Sequence, residues 1–418
     1  MNFLDKNKKW ISTLLVWLLI FLRCGFGVVS SYGKILNIVI CGIAFLYVCY
    51  LSYKNLDEAK KSIFNPAIAW LVFFTGLVFI YGHFGLFMQT GVYSTQYALL
   101  TIIPAFIVYE ILWHNKKNII EILGISGSFV ILTIFITNFV YDELWDYALT
   151  LGHWYRIGKV PGGTAVDTCT LYLLMMIPMA YDILISHRFK RYIIPVAIGI
   201  FGILIGGSRA AALPVLLVIA IMLFGSASDN KTRVRYLIVL GLMAVVGLAL
   251  IMFNPVLYNL LGSRIVELFV QTNTTDFDLH TSTGQRMAVM AAFKEHFWES
   301  PIFGHGFYAF KSMPYSALEE WHPSEGVTEY RNIQIHMNFL ELLFGMGILG
   351  FVSYYWFPLK EVIDTIKTKN KQAKLLGLSF LLSMFFIDLG LDMYYKYMTP
   401  YYVYLLVYVL LNVNEEEK

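Results

Sequence analysis

Arg209, Arg264 and Arg286 are guanidinium groups set among polar or glycine-rich neighbours, and His336 is an imidazole at the edge of a hydrophobic run. A guanidinium fork suits an oxyanion, whose charge it can neutralise through paired hydrogen bonds. An imidazole can accept a proton from a hydroxyl near neutral pH, which is the work of a general base. Asn338 and Glu341 follow His336 closely, and Glu341 is an acid entering an apolar segment. Asp388 and Asp392 lie further on, where a carboxylate can neutralise an arginine or position a substrate. Each residue also has a plain reading. A membrane arginine can snorkel to the interface or pair with an acid, and a boundary histidine more often caps or hydrogen-bonds.

The local sequence says how these side chains are held. Thr281-Ser282-Thr283-Gly284-Gln285-Arg286 leads into MAVMAAFKEHFWES, so Ser282 or Thr283 can N-cap a helix that Pro301 ends. Met290, Phe293 and Phe297 then share a face with Arg286. An arginine in the first turn opposes the positive end of the helix dipole, and an anion bound there would resolve the conflict. A solvated or carboxylate-paired arginine fits the spacing equally well. Arg209 closes Gly206-Gly207-Ser208-Arg209 between two apolar runs, and Arg264 closes Leu261-Gly262-Ser263-Arg264. Ser300-Pro301-Ile302-Phe303-Gly304-His305-Gly306 reads as a helix stop and a tight glycine turn. Asp276-Phe277-Asp278 looks like the metal-binding acidic pair of nucleotide-sugar enzymes, but such triplets arise easily by chance. His280, His296, His305, His322 and His336 are irregularly spaced, with no HExxH pattern or cysteine pair, so a zinc site is weakly supported.

The elements that must position these residues are membrane helices. Hydrophobic residues make up 58% of the chain, charged residues 14%, and mean hydropathy is +0.63. Apolar runs at 10–29, 34–53, 64–81, 97–113, 119–141, 166–186, 192–207, 210–225, 236–253, 338–357, 373–389 and 399–413 are each long enough to approach or cross ~30 Å of hydrocarbon as helix. The expected fold is an all-α polytopic membrane protein with about twelve transmembrane helices, forming a single integral membrane domain over 1–418. Lysine and arginine concentrate in alternate connections, so the positive-inside bias places both termini in the cytoplasm. The stretch 254–337, between spans nine and ten, becomes one large extracytoplasmic loop containing short helices.

Trp10–Ile20 follows three lysines without a small-residue cleavage pattern and reads as a retained signal-anchor. The four cysteines, Cys24, Cys41, Cys49 and Cys169, lie in or beside spans and indicate no disulfide framework. Aromatics at span ends (Trp10, Trp70, Trp113, Trp145, Trp154, Trp356, Tyr401, Tyr402) are expected in the interfacial belts. The segment Tyr141–Asp167, with Trp145, Trp154, Tyr155 and Arg156, suits either a sugar surface or a short lid. No internal repeat is evident, which weighs against secondary transporters and lipid-linked sugar flippases. The net charge of +3 says little, because its distribution matters more than the sum, and no nucleic-acid partner is expected.

GGSRAA (Gly206–Ala211), TGQR with its helix and SPIFGHG (Thr283–Gly306), and HMNFLELLFGMGILG (His336–Gly350) occur in that order. Together with the large loop they resemble the O-antigen ligase and Wzy-type polysaccharide polymerase family of bacterial membranes. The motifs cover the second half of the chain, and the first half agrees only in hydropathy. The resemblance implies an inverting, metal-independent glycosyltransferase of the GT-C type in the cytoplasmic membrane, with its site facing outward and no cofactor. Its implied partners are an undecaprenyl-diphosphate-linked oligosaccharide donor, a glycan acceptor, the bilayer, and other assembly proteins such as a flippase and a chain-length regulator. By the same resemblance Arg209 and Arg286, with Arg264, would grip the donor diphosphate. His336 would be the base or acceptor-positioning group, supported by Asn338, Glu341 and Asp392. The family usually carries Asn directly after the histidine, whereas here Met337 intervenes before Asn338. Polymerase and ligase chemistry both fit. Since nothing in the chain points to a lipopolysaccharide-core acceptor, the expected reaction is polymerisation of the lipid-linked repeat units, with ligation to lipid A–core as the alternative. A lipid-linked sugar flippase, against which the single large loop argues, is the third reading.

Overall fold

The computed structural model describes residues 3–22, 31–83, 95, 97–141, 165–206, 208–227, 229–255, 258, 262, 266, 282–313, 317–322, 327–332, 334–395 and 397–413. Each predicted span contains a helix. The first half comprises α1 (Phe3–Lys6), α2 (Lys8–Phe21), α3 (Ser31–Lys54), α4 (Leu56–Ile63), α5 (Pro66–His83), α6 (Ile103–Trp113, entered through a π-helical turn at Ala98–Ile102) and α7 (Ile119–Tyr141). The second half comprises α8 (Ala165–Leu184), α9 (Phe189–Gly206), α10 (Arg209–Ser226), α11 (Asn230–Phe253), α12 (Ser282–His296), α13 (Asn338–Lys367), α14 (Lys371–Asp388) and α15 (Thr399–Leu411).

Six helical stretches among the described residues are long and apolar enough to cross a membrane: Ile35–Lys54, Pro66–His83, Lys116–Thr137, Val166–Leu184, Asn230–Phe253 and Asn338–Lys367. Ala98–Trp113, Ala210–Ser226 and Thr399–Leu411 are apolar but shorter. The protein is therefore an integral membrane protein. α11 buries none of its residues, which suits a helix apolar all round and surrounded by lipid.

The helices pack as a bundle in which α8 touches α7, α9, α10 and α14, while α14 also packs on α10, α13 and α15. At its centre Trp70 is fully buried, stacking on Phe357 at 4.9 Å and Tyr401 at 5.8 Å between ring centroids. Its Nε1–H donates to the Tyr354 carbonyl at 3.0 Å. This corrects the interfacial reading for four residues: Trp70, Trp113, Tyr401 and Tyr402 are buried, whereas Trp10 and Trp356 stay exposed. An aromatic with a polar tip fits either place, and inside the bundle the Trp70 indole and the Tyr401 hydroxyl find backbone carbonyls.

A second correction concerns the loop. Helices alone were expected, yet Ala317–His322 (β1) and Val327–Asn332 (β2) form an antiparallel pair, with Ala317 opposite Asn332 and His322 opposite Val327. VTEYRN carries Val327, Thr328 and Tyr330, which favour a strand, whereas ALEEWH offers only Trp321, so the pair rests on cross-strand pairing more than on local propensity.

The break in α13 ties the loop to the bundle. Gly347 has φ +64° and ψ −167°, a conformation essentially confined to glycine, so the helical hydrogen-bond ladder fails there. The turn after α12 fills the break. Ile348 N–H donates to Pro301 O at 2.9 Å and Leu349 N–H to Ile302 O at 3.1 Å. In the other direction His305 N–H donates to Phe344 O at 3.0 Å and Gly306 N–H to Gly345 O at 2.7 Å. Irregular backbone at membrane depth is tolerated when protein satisfies it, and SPIFGHG is the segment that does so here. Gly304, at φ +72°, lets the two chains approach, since a Cβ there would lie 2.4 Å from Gly345 O.

Candidate active site

α12 carries Arg286 toward the bundle. Val289 is buried with Phe310, Ile335 and Phe344 in a small second core, against which Ala292 and Phe293 pack. Phe297 stacks on Phe293 at 5.1 Å. The packing face thus centres on Val289 and Phe293 rather than on Met290. The helix also begins at Ser282, which puts Arg286 one turn in rather than in the first turn as expected. Its Nη2 donates to a neutral backbone acceptor, Gly390 O, at 3.1 Å. The same core holds Ile335, so it fixes Arg286 and the residue before His336 relative to one another.

The segment Leu389–Tyr395, between α14 and α15, is where the motifs meet. Gly390 accepts from Arg286, and a Cβ on Gly390 would lie 3.4 Å from the Ala210 Cβ at the start of α10. Two residues on, Asp392 is 4% exposed, and its Oδ1 lies 3.7 Å from Nδ1 of His336, whose side chain is 36% exposed. The imidazole is open to a substrate on one side and backed by a buried carboxylate on the other. His336 itself has φ +56°, a left-handed backbone that costs a non-glycine residue of order 1 kcal/mol and clusters at functional sites.

Gln334 organises this pair. Its Oε1 accepts from the Tyr308 hydroxyl at 2.5 Å and the Tyr395 hydroxyl at 3.1 Å. The two phenol rings stack at 3.8 Å between centroids. Two donors on Oε1 orient the amide, so Nε2 faces His336 Nδ1 at 3.4 Å and Asp392 Oδ1 at 3.5 Å. Burial, and then the nearby Asp392 charge, pushes the Tyr395 hydroxyl well above the ordinary phenol value, so it remains a neutral donor.

Behind them, Asn338 is fully buried at the first turn of α13. Its Oδ1 accepts from Tyr394 N–H at 3.1 Å and its Nδ2 donates to Tyr355 OH at 2.9 Å. Tyr355 OH in turn donates to Asp388 Oδ2 at 2.8 Å. One amide therefore pins the Leu389–Tyr395 segment to both α13 and α14. Glu341 is also fully buried and within electrostatic reach of Asp392, with the backbone of Ile335 against it. Buried acids of this kind are rare outside functional or strained places.

The structure thus brings together Arg286, His336, Asn338, Glu341 and Asp392. Arg209 opens α10 next to Ala210, so its backbone lies beside the same segment; its side chain, like Arg264 and Asp276–Asp278, lies outside the described residues, as do 142–164. His305 stacks on Phe344 at 4.3 Å, with its Nδ1 3.2 Å from the Phe344 carbonyl, and belongs to the docking turn. His296 and Glu299 pair at 2.7 Å on the exposed side of the same turn. Among the described residues no group of three or more His, Cys, Asp or Glu is placed to hold a metal ion. Sequence reasoning missed Gln334, Tyr308 and Tyr395. The only signal was the tyrosine density of LDMYYKYMTPYYVY, which reads as belt aromatics.

A guanidinium and a carboxylate-backed imidazole thus converge on one interhelical segment of an integral membrane protein. Residues 194–355 match the family model described as O-Antigen ligase. The match runs from α9 through the loop into α13. No curated protein matches the chain significantly.

Proposed function

We propose that the protein is a membrane glycosyltransferase that polymerises oligosaccharide repeat units carried on undecaprenyl diphosphate. It would work at the outer face of the bacterial cytoplasmic membrane, with both termini inside and its apolar helices making about twelve crossings. The observation that carries this reading is the meeting of Arg286 and His336 on Leu389–Tyr395, with Asp392 behind the imidazole.

In this mechanism Arg286 and Arg209 hold the donor diphosphate and neutralise the charge it gains as the glycosidic C1–O bond breaks. The acceptor hydroxyl attacks C1 from the opposite face, which inverts the anomeric centre. His336 takes the hydroxyl proton, and Asp392 stabilises the imidazolium that results. With Nδ1–H directed at the Asp392 carboxylate 3.7 Å away, Nε2 is the nitrogen left to take the acceptor's proton. The lipid diphosphate departs with the bonding electron pair, so no acid is needed at the leaving oxygen and no metal is required by the chemistry.

The description of the matched family favours a second reading, in which the finished glycan passes to lipid A–core. The same residues would serve both reactions. Purified protein incubated with a lipid-linked repeat unit separates them. A product ladder without lipid A–core supports the polymerase, and transfer only when core is added supports the ligase. Neither product would refute both readings. Activity is expected to survive EDTA, and strict dependence on a divalent cation would count against the arginine mechanism.

A further inference from the structure

At the opposite end of the bundle lies a cavity of about 350 Å³, unrelated to the motifs above. The placement follows from α15: Thr399 starts it beside the site segment, and Tyr408, near its other end, stacks on Trp113 at 6.0 Å in the cavity wall. Lys8 and Lys9 from α2, Lys54 from α3, and Lys116 and Lys117 from the α6–α7 connection face it, against two carboxylates, Asp5 and Glu58.

Both carboxylates are already engaged. Asp5 pairs with Lys54 and accepts from Tyr50 OH at 3.0 Å. Glu58 lies 3.1 Å from Lys61 and 3.4 Å from Lys116, whose ammonium sits 3.7 Å from the centroid of the Trp113 ring. Lys9 turns to Glu121 at 3.1 Å. Lys8 donates to His114 O at 2.6 Å and feels Asp5 only at longer range, and neither it nor the exposed Lys117 has a carboxylate within ion-pair distance among the described residues. His114 adds no charge of either sign: burial, with Lys8 and Lys116 beside it, lowers its pKa to about 4 and keeps it neutral. The cavity therefore carries excess positive charge in a concave wall.

We propose that this cavity binds the phosphate of an anionic phospholipid from the leaflet at that end of the helices. Its chemistry is that of a phosphate diester held by ammonium groups. A lipid fits better than a soluble anion because the lining residues Leu51 and Lys54 end α3, a candidate span that leaves Val39, Ile43 and Leu46 exposed to hydrocarbon along its length. Basic pockets between helix ends at a membrane surface are suited to such headgroups.

The test uses the full-length protein in neutral detergent, titrated with phosphatidylglycerol, phosphatidylcholine or inorganic phosphate and read by native mass spectrometry. Selective retention of phosphatidylglycerol is expected. The double variant Lys8→Gln, Lys117→Gln should weaken it roughly 30-fold, because each lysine near a charged surface contributes about a fivefold factor. Glutamine at position 8 keeps the donor to His114 O. Should the double variant fold poorly, Lys117→Gln alone, at an exposed position, should still weaken retention about fivefold. Equal retention of both lipids, or retention unchanged in a folded variant, would overturn the proposal. Binding of inorganic phosphate without selective phosphatidylglycerol retention would overturn the lipid assignment.

Discussion

Gly347→Ala tests whether the loop is held by the break in α13. An alanine Cβ at this position would sit 2.2 Å from Ile302 O and 2.4 Å from the Ile302 carbonyl carbon, both backbone atoms that cannot rotate away. The φ of +64° adds strain of order 1–3 kcal/mol for any residue with a Cβ. Relief requires the Ser300–Gly306 turn to leave α13, with loss of the four backbone hydrogen bonds that join them. At about 1 kcal/mol net each, roughly 4 kcal/mol of docking free energy is at stake. Hydrogen exchange in detergent reads this directly. The amides of His305, Gly306, Ile348 and Leu349 should lose protection by up to about a thousandfold in the variant. Because the turn anchors α12, Arg286 would shift from Gly390, and a displacement of ~1 Å near reacting atoms costs on the order of a hundredfold in rate. Gly241→Ala is the control, since a Cβ on that α11 residue meets nothing within 4 Å. Unchanged protection together with full glycan transfer in Gly347→Ala would refute the argument.

Asn338→Ala removes the acceptor of Tyr394 N–H and the donor to Tyr355 OH inside the bundle, and should destabilise the protein by about 2–3 kcal/mol in a detergent melt while abolishing transfer. Arg209→Lys should lose most activity in a transfer assay if the guanidinium fork grips diphosphate, whereas a snorkelling arginine would tolerate the change. His114 titrates at about 4 in the fold against about 6.5 unfolded, so the unfolded chain binds the extra proton between those values. Its contribution to stability is complete above about pH 6.5 and is lost as pH falls toward 4, by up to about 3 kcal/mol. Thermal melts of His114→Gln should lack that decline.

The helix starts were legible because their signals are local. Ser208-Arg209 and Met337-Asn338 sit where polar residues hand over to apolar runs, and the structure starts α10 and α13 there. The docking turn was legible only as a turn, since Gly304 and Gly347 are far apart in sequence and each reads as ordinary loop or helix glycine until the other is placed. Trp70 was misread for a related reason: hydropathy cannot distinguish a helix face that meets lipid from one that meets another helix, as both media are apolar. Gln334 could not be found from sequence at all. Its meaning comes from Tyr308 in the loop and Tyr395 between α14 and α15, whose stacked rings both donate to it. The β1–β2 pair shows the same limit, for strand pairing there depends on cross-strand partners rather than on a strong local pattern.

The central claim is that one site, built by Arg286 and His336 on Leu389–Tyr395, transfers glycan from a lipid diphosphate. Its most direct test is product formation from a purified lipid-linked repeat unit by the parent protein and by Arg286→Ala and His336→Ala, each checked for membrane insertion and thermal stability. The account predicts transfer by the parent and loss of transfer in both variants at unchanged stability. Full activity in either variant would contradict it.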